Sequence, residues 1–150
     1  MLTKSKSELR FFRLLIIEDD HERERILKSW LPEDVKTVVA GSGGRAIGVL
    51  ERDKGNVYAG ILLDHDLQGR AATATDCSLD GKDVVNMIVK NISKNVPILV
   101  HSMNVTQAPV MANKLEKEGF CVTRIPMAIL TKERLQEWVA EARAIWEDGL

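Results

Sequence analysis

The feature that most constrains this chain is a short apolar run at residues 61–63 that ends in an Asp-His-Asp triplet at residues 64–66. An apolar run of this length, bounded by turn signals, is typical of a strand buried on both faces of a parallel sheet. Functional groups in such sheets lie beyond the carboxyl ends of the strands. We therefore predict that Asp64, His65 and Asp66 form the edge of a pocket. The alternative is a helix N-cap, for which a single Asp would be enough.

The length and charge of the chain are those of one folded domain. Its 150 residues suffice for a full core and are too few to predict two domains. The 21 basic and 22 acidic residues give a net charge of -1, so the overall charge does not indicate nucleic acid or membrane binding. The overall charge does not exclude a local basic patch. We predict a flexible tail at residues 1–10, which are rich in Lys and Ser, and a single domain at residues 11–150.

Cysteine usage and hydropathy indicate a cytoplasmic protein. Cys77 and Cys121 lie far apart without a CxxC motif or a companion His, which argues against zinc and for two reduced thiols. Arg13 interrupts the apolar run near the N-terminus, and acidic residues end it at residues 18–20. This run therefore fits neither a signal peptide nor a membrane span, and we expect no membrane partner.

Short apolar runs alternate with helical patterns along the chain. We predict strands at residues 14–17, 35–40, 61–63, 97–100 and 120–125, each followed by a helix, and a loop at residues 68–78. Asp20 and Thr131 are the predicted N-caps of the first and last helices, and Pro109 is the predicted start of the fourth. Five strands alternating with five helices predict a doubly wound α/β domain, (βα)5, with a parallel sheet in the order 2-1-3-4-5.

This topology brings two groups of acidic residues to one crevice. The switch point of the sheet lies between the first and third strands, so Glu18 and Asp19 are expected beside Asp64. Converging carboxylates repel one another unless a cation holds them together, and Mg²⁺ (or Mn²⁺) prefers such oxygen ligands. We therefore predict a metal site at these three residues. The rival interpretation is a general acid and base pair with separated pKa values.

Two histidines lie next to the predicted pocket. His65 follows Asp64, and His101 precedes Ser102 at the end of the fourth strand. Alternation along a strand predicts that both imidazoles point to one side, away from Asp64 and Ser102, unless the strand ends relax. In the pocket they would be natural proton carriers at neutral pH, and under a helix they would be structural. His21, at the start of the first helix, is expected in solvent.

The two remaining polar candidates, Ser102 and Arg23, indicate phosphate binding. Ser102 lacks the surroundings of a nucleophile, so a hydrogen bond to a phosphate oxygen is the simpler expectation. Arg23 lies one turn into the first helix and is a candidate phosphate clamp, with a solvated Arg as the alternative. Neither a P-loop nor a GxGxxG motif is present, which argues against nucleotide binding by those routes.

These residues resemble the receiver domain of response regulators, the CheY-like family. The resemblance rests on the apolar run ending at residues 18–20, on Asp64, on Asp80-Gly81 and on residues 100–102. It implies a flavodoxin-like fold and Mg²⁺ bound by Glu18, Asp19 and Asp64 with help from the Asp66 carbonyl. It further implies that Asp64 is the phosphoacceptor and that Ser102 is the switch residue.

The departures from that pattern resemble one offshoot of the family. Ile125 stands where receivers place a Lys, and the connection from Asp64 to Gly81 is longer than usual. The segments 63–67 (LDHDL) and 100–104 (VHSMN) are instead similar to cyclic-phosphate-processing receiver-like domains, which are predicted to act on cyclic phosphates of RNA ends or nucleotides.

Two functions follow as expectations. The first is a metal-dependent cyclic phosphodiesterase or phosphoesterase acting on a phosphate-containing small molecule or RNA end, with residues 68–79 as a flap. Its expected catalytic residues are Asp64, His65, Asp66, His101 and Ser102, and its expected phosphate-binding residues are Arg23, Ser102 and Asn104. The alternative is a stand-alone receiver that accepts a phosphoryl group on Asp64, or senses an anion, and reports to a protein signalling partner.

Overall fold

The computed structural model describes residues 11–71 and 73–149, so the predicted tail at residues 1–10 lies outside the described residues. Five parallel strands form one sheet in the order β2-β1-β3-β4-β5, which confirms the predicted topology. The strands are β1 (Arg13–Ile17), β2 (Lys36–Ala40), β3 (Gly60–Leu63), β4 (Ile98–Val100) and β5 (Val122–Arg124). The helices are α1 (His21–Trp30), α2 (Gly43–Arg52), α3 (Ala74–Cys77), α4 (Gly81–Asn91), α5 (Gln107–Lys117) and α6 (Lys132–Asp148).

Alternating side chains of the strands feed two separate cores. On one face of the sheet, Ile61 and Leu63 pack with residues of α2, α4 and α5; we call this the α4 face. On the other, Leu62 packs with residues of α1 and α6; we call this the α1 face. Trp138 of α6 lies so close to β3 that a Cβ at residue 60 would be 2.7 Å from its ring, which explains a glycine there. The three central strands, β1, β3 and β4, are buried on both sides, as their continuous apolar sequence predicts, whereas the edge strands β2 and β5 are partly exposed.

The predicted helix signals are confirmed at two ends and differ at a third. Asp20 and Thr131 cap α1 and α6 through their side-chain oxygens. The fourth predicted helix begins at Gln107 rather than at Pro109, which is its third residue. Proline is tolerated there because the amides of a first helical turn have no partner within the helix.

The predicted loop at residues 68–78 contains a short helix, α3, which makes six helices among the described residues instead of five. Thr73 caps this helix by accepting a hydrogen bond from the Asp76 amide at 3.0 Å. The Asp76 carboxylate in turn accepts a hydrogen bond from the amide of Gly44, at the start of α2, at 2.7 Å. A helix of one turn carries no readable periodicity, and this one is fixed by a contact 32 residues away.

Within the described ranges, no helix combines the length and the apolar character that crossing a membrane requires.

Candidate active site at the carboxyl edge of the sheet

The register of the three central strands decides which polar side chains meet. Ile17 pairs with Leu63, and Leu63 pairs with Val100. The residues that follow these three, Glu18, Asp64 and His101, therefore stand at one level on the α1 face. His65 and Ser102 follow one position later and belong to the α4 face by the same alternation.

The expectation that both imidazoles share one side, away from Asp64, is therefore wrong for His101. Side chains do alternate along both strands, but the pairing of Leu63 with Val100 makes His101 equivalent to Asp64 and not to His65. The two histidines consequently lie on opposite faces of the sheet edge.

The three predicted metal ligands come together as an acidic cluster. Glu18, Asp19 and Asp64 each offer a carboxylate oxygen, and these atoms lie within 4.8 Å of one another. Glu18 is fully buried and Asp64 is 4% exposed. Carboxylates that are this close together and largely buried repel one another, so a nearby positive charge is needed to stabilise their ionised forms.

Burial and mutual repulsion separate the pKa values in this acidic cluster. Burial, followed by the Glu18 charge, raises the pKa of Asp64 to about 6. Burial acts in the same direction on Glu18, but hydrogen bonds from His101 and Arg23 outweigh it and hold the pKa of Glu18 well below its ordinary value. Burial raises the pKa of Asp19, against the hydrogen bond from the Gly69 amide. Glu18 is thus the most firmly ionised of the three.

His101 is part of this acidic region. Its Nε2 lies 2.9 Å from Glu18 Oε1, and the residue is 1% exposed. Because Glu18 is ionised, Nε2 carries a proton and donates it to this hydrogen bond. The other ring nitrogen, Nδ1, is buried and has no hydrogen-bond partner among the described residues.

Arg23, the predicted phosphate clamp, lies directly on the acidic cluster. Its Nε and Nη2 donate to the two oxygens of Glu18 at 3.0 and 2.9 Å, which is a bidentate pair. Nη2 also lies 3.5 Å from Asp19 Oδ1 and 3.4 Å from Asp64 Oδ2. The side chain is one third exposed, so it connects the buried acids with solvent.

His65 faces a different set of groups. Its Nδ1 lies 3.0 Å from Asp66 Oδ1, and its Nε2 lies 3.8 Å from Asp80 Oδ2 at the start of α4. Asn104 approaches the same ring with its amide nitrogen at 3.5 Å. The ring is therefore oriented by a carboxylate, although away from Glu18.

Ser102 and Asn104 have hydrogen bonds within their own loop. The Ser102 hydroxyl accepts from the Asn104 amide at 3.0 Å. The Asn104 side-chain oxygen accepts from the amides of Thr106 and Gln107 at 3.2 and 2.8 Å, which satisfies donors at the start of α5. Their predicted role in phosphate binding stays a prediction.

Two residues of the loop between β3 and α4 also belong to the site, and sequence reasoning missed them. The Gly69 amide donates to Asp19 Oδ2 at 2.7 Å, and the Arg70 Nη2 donates to the Glu18 carbonyl at 2.6 Å and to Glu24 at 3.0 Å. A Cβ at residue 69 would lie 2.7 Å from Asp19 Oδ2, so a larger residue there would force the Asp19 carboxylate to move. These contacts span 46 to 52 residues of sequence and have no local signal.

Ile125 directly follows β5, at the position where the receiver pattern has a Lys. It is 8% exposed and packs in the core of the α1 face. Since Val100 pairs with Arg124, Ile125 lies level with His101. This edge of the site is therefore apolar.

The donor set of the acidic cluster fits a hard divalent cation. Three residues at the ends of two adjacent strands offer carboxylate oxygens, and two of these residues, Glu18 and Asp64, are buried. A positively charged guanidinium nitrogen already lies among these oxygens. Oxygen ligands and partial burial are what Mg²⁺ sites use.

The fold and this edge of the sheet define a receiver-like domain. Over residues 13–117 the chain matches the family described as "cyclic-phosphate processing receiver domain". The match covers more than half of the sequence, and the chain belongs to this family. A search of curated proteins finds no match.

Solved structures show the same fold at low sequence identity. The CheY-like receiver domain from Methanospirillum hungatei is 15% identical, with a TM-score of 0.65 and coverage of 92% of this chain and 98% of that one. The response regulator domain of Thermotoga maritima CheB is 17% identical, with a TM-score of 0.61 and coverage of 91% and 96%. The receiver domain of a Pseudomonas aeruginosa sensor histidine kinase, solved with magnesium in its active site cleft, is 19% identical, with a TM-score of 0.64 and coverage of 87% and 96%.

Proposed function

We propose that this receiver-like domain hydrolyses cyclic phosphodiesters, such as 2′,3′-cyclic phosphates of nucleotides or RNA ends, with the help of a divalent cation. The observation that carries the proposal is the buried His101 imidazole inside the acidic cluster, 2.9 Å from Glu18. The family description supports the substrate class. The receiver pattern places a Lys where this chain has the buried, apolar Ile125, and this departure favours hydrolysis over phosphoryl transfer to Asp64.

Glu18, Asp19 and Asp64 would hold the cation, because their carboxylate oxygens converge. A solved receiver domain of the same fold has magnesium in its active site cleft, which supports a cation in this region. Bound there, Mg²⁺ or Mn²⁺ would neutralise charge on the phosphate oxygens. We assign Arg23 to the phosphate because its side chain reaches solvent from the acidic cluster.

The two histidines suit the proton transfers of such a reaction. In hydrolysis of a cyclic phosphodiester, water oxygen bonds to phosphorus while the bond from phosphorus to one ring oxygen breaks. The water loses a proton to a base, and the leaving oxygen takes one from an acid. The attacking and leaving oxygens lie on opposite sides of phosphorus. His65 and His101 lie on opposite faces of the sheet edge, so we assign one to each oxygen.

The roles of the histidines follow from their partners. The Asp66 carboxylate forms a hydrogen bond with Nδ1 of His65 and orients the ring. We assign the other nitrogen, Nε2, to proton exchange, so that His65 acts as the base. His101 donates to Glu18 and so also positions this carboxylate. Ser102 and Asn104, at the end of β4, would contact the phosphate from the α4 face.

Incubation of the pure protein with Mg²⁺ and 2′,3′-cyclic nucleotides tests the proposal. We expect a linear phosphomonoester as the product, and we expect its formation to require the cation. His21→Gln is the matched control, because this third histidine is exposed and faces Arg70 rather than the acidic cluster. Absence of turnover, or turnover unaffected by His101→Gln, contradicts the proposed function.

The alternative function is a stand-alone receiver that is phosphorylated on Asp64. The receiver fold and the position of Asp64 at the end of β3 favour it. Labelling with acetyl phosphate and Mg²⁺ that disappears in Asp64→Asn, without turnover of cyclic nucleotides, would support this alternative.

A further inference from the structure

Arg23 places a single nitrogen among all three carboxylates of the acidic cluster. Its Nη2 lies 2.9 Å from Glu18, 3.4 Å from Asp64 and 3.5 Å from Asp19. An ordinary surface salt bridge joins one cation to one carboxylate. Here the guanidinium stands at the point where the three negative charges converge.

A divalent cation and this guanidinium cannot share that point. Mg²⁺ binds carboxylate oxygens at about 2.0–2.1 Å. The available oxygens lie within 4.8 Å of one another, so the space between them holds one positive centre. Two cations in that space would also repel each other in a region of low dielectric.

We propose that Arg23 is an exchangeable internal cation, which neutralises the acidic cluster in the absence of metal and is displaced when a divalent ion binds. The inference rests on the metal site of the proposed function and not on the reaction. The displaced side chain has a path to solvent, since it is one third exposed. Asp20 is a second partner near this path, with Oδ2 3.9 Å from Nη1 and 43% of its side chain exposed.

The exchange has two consequences for the site. First, Glu18 stays paired without metal, so the acidic cluster does not depend on the ion for folding. Second, the ion releases a guanidinium at the edge of the site at the moment when an anion can bind there. Phosphate affinity and metal occupancy would then be coupled through one side chain.

Binding of Mn²⁺ alone, measured by the electron paramagnetic resonance signal of the free ion, tests the exchange. We expect Arg23→Ala to bind Mn²⁺ at least roughly tenfold more tightly than the unaltered protein. While the Arg23 guanidinium occupies the acidic cluster, the apparent Mn²⁺ affinity is reduced in proportion to the fraction of molecules in which the cluster is free. Arg25→Ala is the matched control: Arg25 lies on the same helix, is exposed and pairs with Glu22. It removes the same charge, and screening should keep its effect below about twofold. Equal effects of the two substitutions would overturn the inference.

A second measurement uses the unaltered protein. The Arg23 Nε–H donates to Glu18 at 3.0 Å and should give a protected side-chain signal in ¹⁵N NMR, which Mg²⁺ should shift or remove while leaving that of Arg25 in place. An Arg23 signal that stays unchanged at saturating Mg²⁺ overturns the inference. Displacement of Arg23 by Mg²⁺ without turnover of cyclic nucleotides supports the exchange and contradicts the proposed function. Turnover with an unchanged Arg23 signal supports the proposed function and contradicts the exchange. Absence of any bound metal overturns both.

Discussion

The two faces of the sheet edge carry similar residue types, but their polar atoms have different partners. On the α1 face, Glu18, Asp64 and His101 meet side chains from distant parts of the chain, and their charges act on one another. On the α4 face, the oxygens of Ser102 and Asn104 accept hydrogen bonds from amides of their own loop. Converging charge is therefore concentrated on the α1 face, whereas the α4 face is mainly organised by local turns. Substitutions on the two faces should have different effects.

The largest expected effect is on turnover. His101→Gln should lower the rate of cyclic-nucleotide hydrolysis by roughly 10²–10⁴-fold, which is the usual contribution of a positioned acid or base. His65→Gln should cost less, because Asp80 and Asn104 crowd its ring on the α4 face. Initial rates at saturating Mg²⁺ measure both. A larger loss in His65→Gln would reverse the proposed difference between the faces.

The second effect is on the stability of the metal-free protein. The pKa of Asp64 is raised from 3.8 to about 6, so the folded state binds a proton more tightly than the unfolded state. The free energy of unfolding therefore falls as pH rises from about 4 to about 6, and the ionised carboxylate costs up to about 3 kcal/mol above that range.

Asp64→Asn should consequently stabilise the metal-free protein at pH 8, by about 1–3 kcal/mol. Asn keeps an oxygen for the His65 amide, which now donates to Asp64 Oδ1 at 2.8 Å. Glu18→Gln is the contrasting variant: the pKa of Glu18 is lowered, so its charge is stabilising and its loss should destabilise. Urea unfolding in the presence of a chelator measures both, and equal signs for the two variants would contradict this assignment.

The third effect is the pH dependence of metal binding. Since Asp64 titrates at about pH 6, the cation competes with a proton for this carboxylate. Mn²⁺ affinity should fall about tenfold between pH 7 and pH 5 from this group alone. Titrations at a series of pH values measure the slope, and an affinity that does not change over this interval would remove Asp64 from the ligand set.

The smallest effect is expected on the α4 face. Ser102→Ala removes one acceptor in a local turn and should lower the free energy of unfolding by about 1 kcal/mol or less. Metal affinity should stay within about twofold, because the hydroxyl does not contact the acidic cluster in the described structure. A strong loss of metal affinity would show that the faces are less separate than their hydrogen bonds indicate.

What the sequence predicts well here depends on local pattern. Buried strands, their order and the convergence of Glu18, Asp19 and Asp64 follow from apolar runs that end in acids at one edge of a parallel sheet. The side to which His101 points required the pairing of Leu63 with Val100, which a strand pattern alone does not fix. The Arg23 contact with Asp64 and the Gly69 contact with Asp19 join residues 41 and 50 positions apart, beyond any periodicity.

The hydrogen bond from the Gly69 amide to Asp19 connects the loop between β3 and α4 to a candidate metal ligand. Asp19 offers Oδ2 to the loop and turns Oδ1 toward the centre of the acidic cluster. Attachment of the loop and capture of a cation therefore act on two ends of one carboxylate. By linkage, whatever factor the docked loop adds to cation affinity, the cation adds to loop docking. The rate at which a protease cuts residues 68–79 would then report how much of the protein carries a cation.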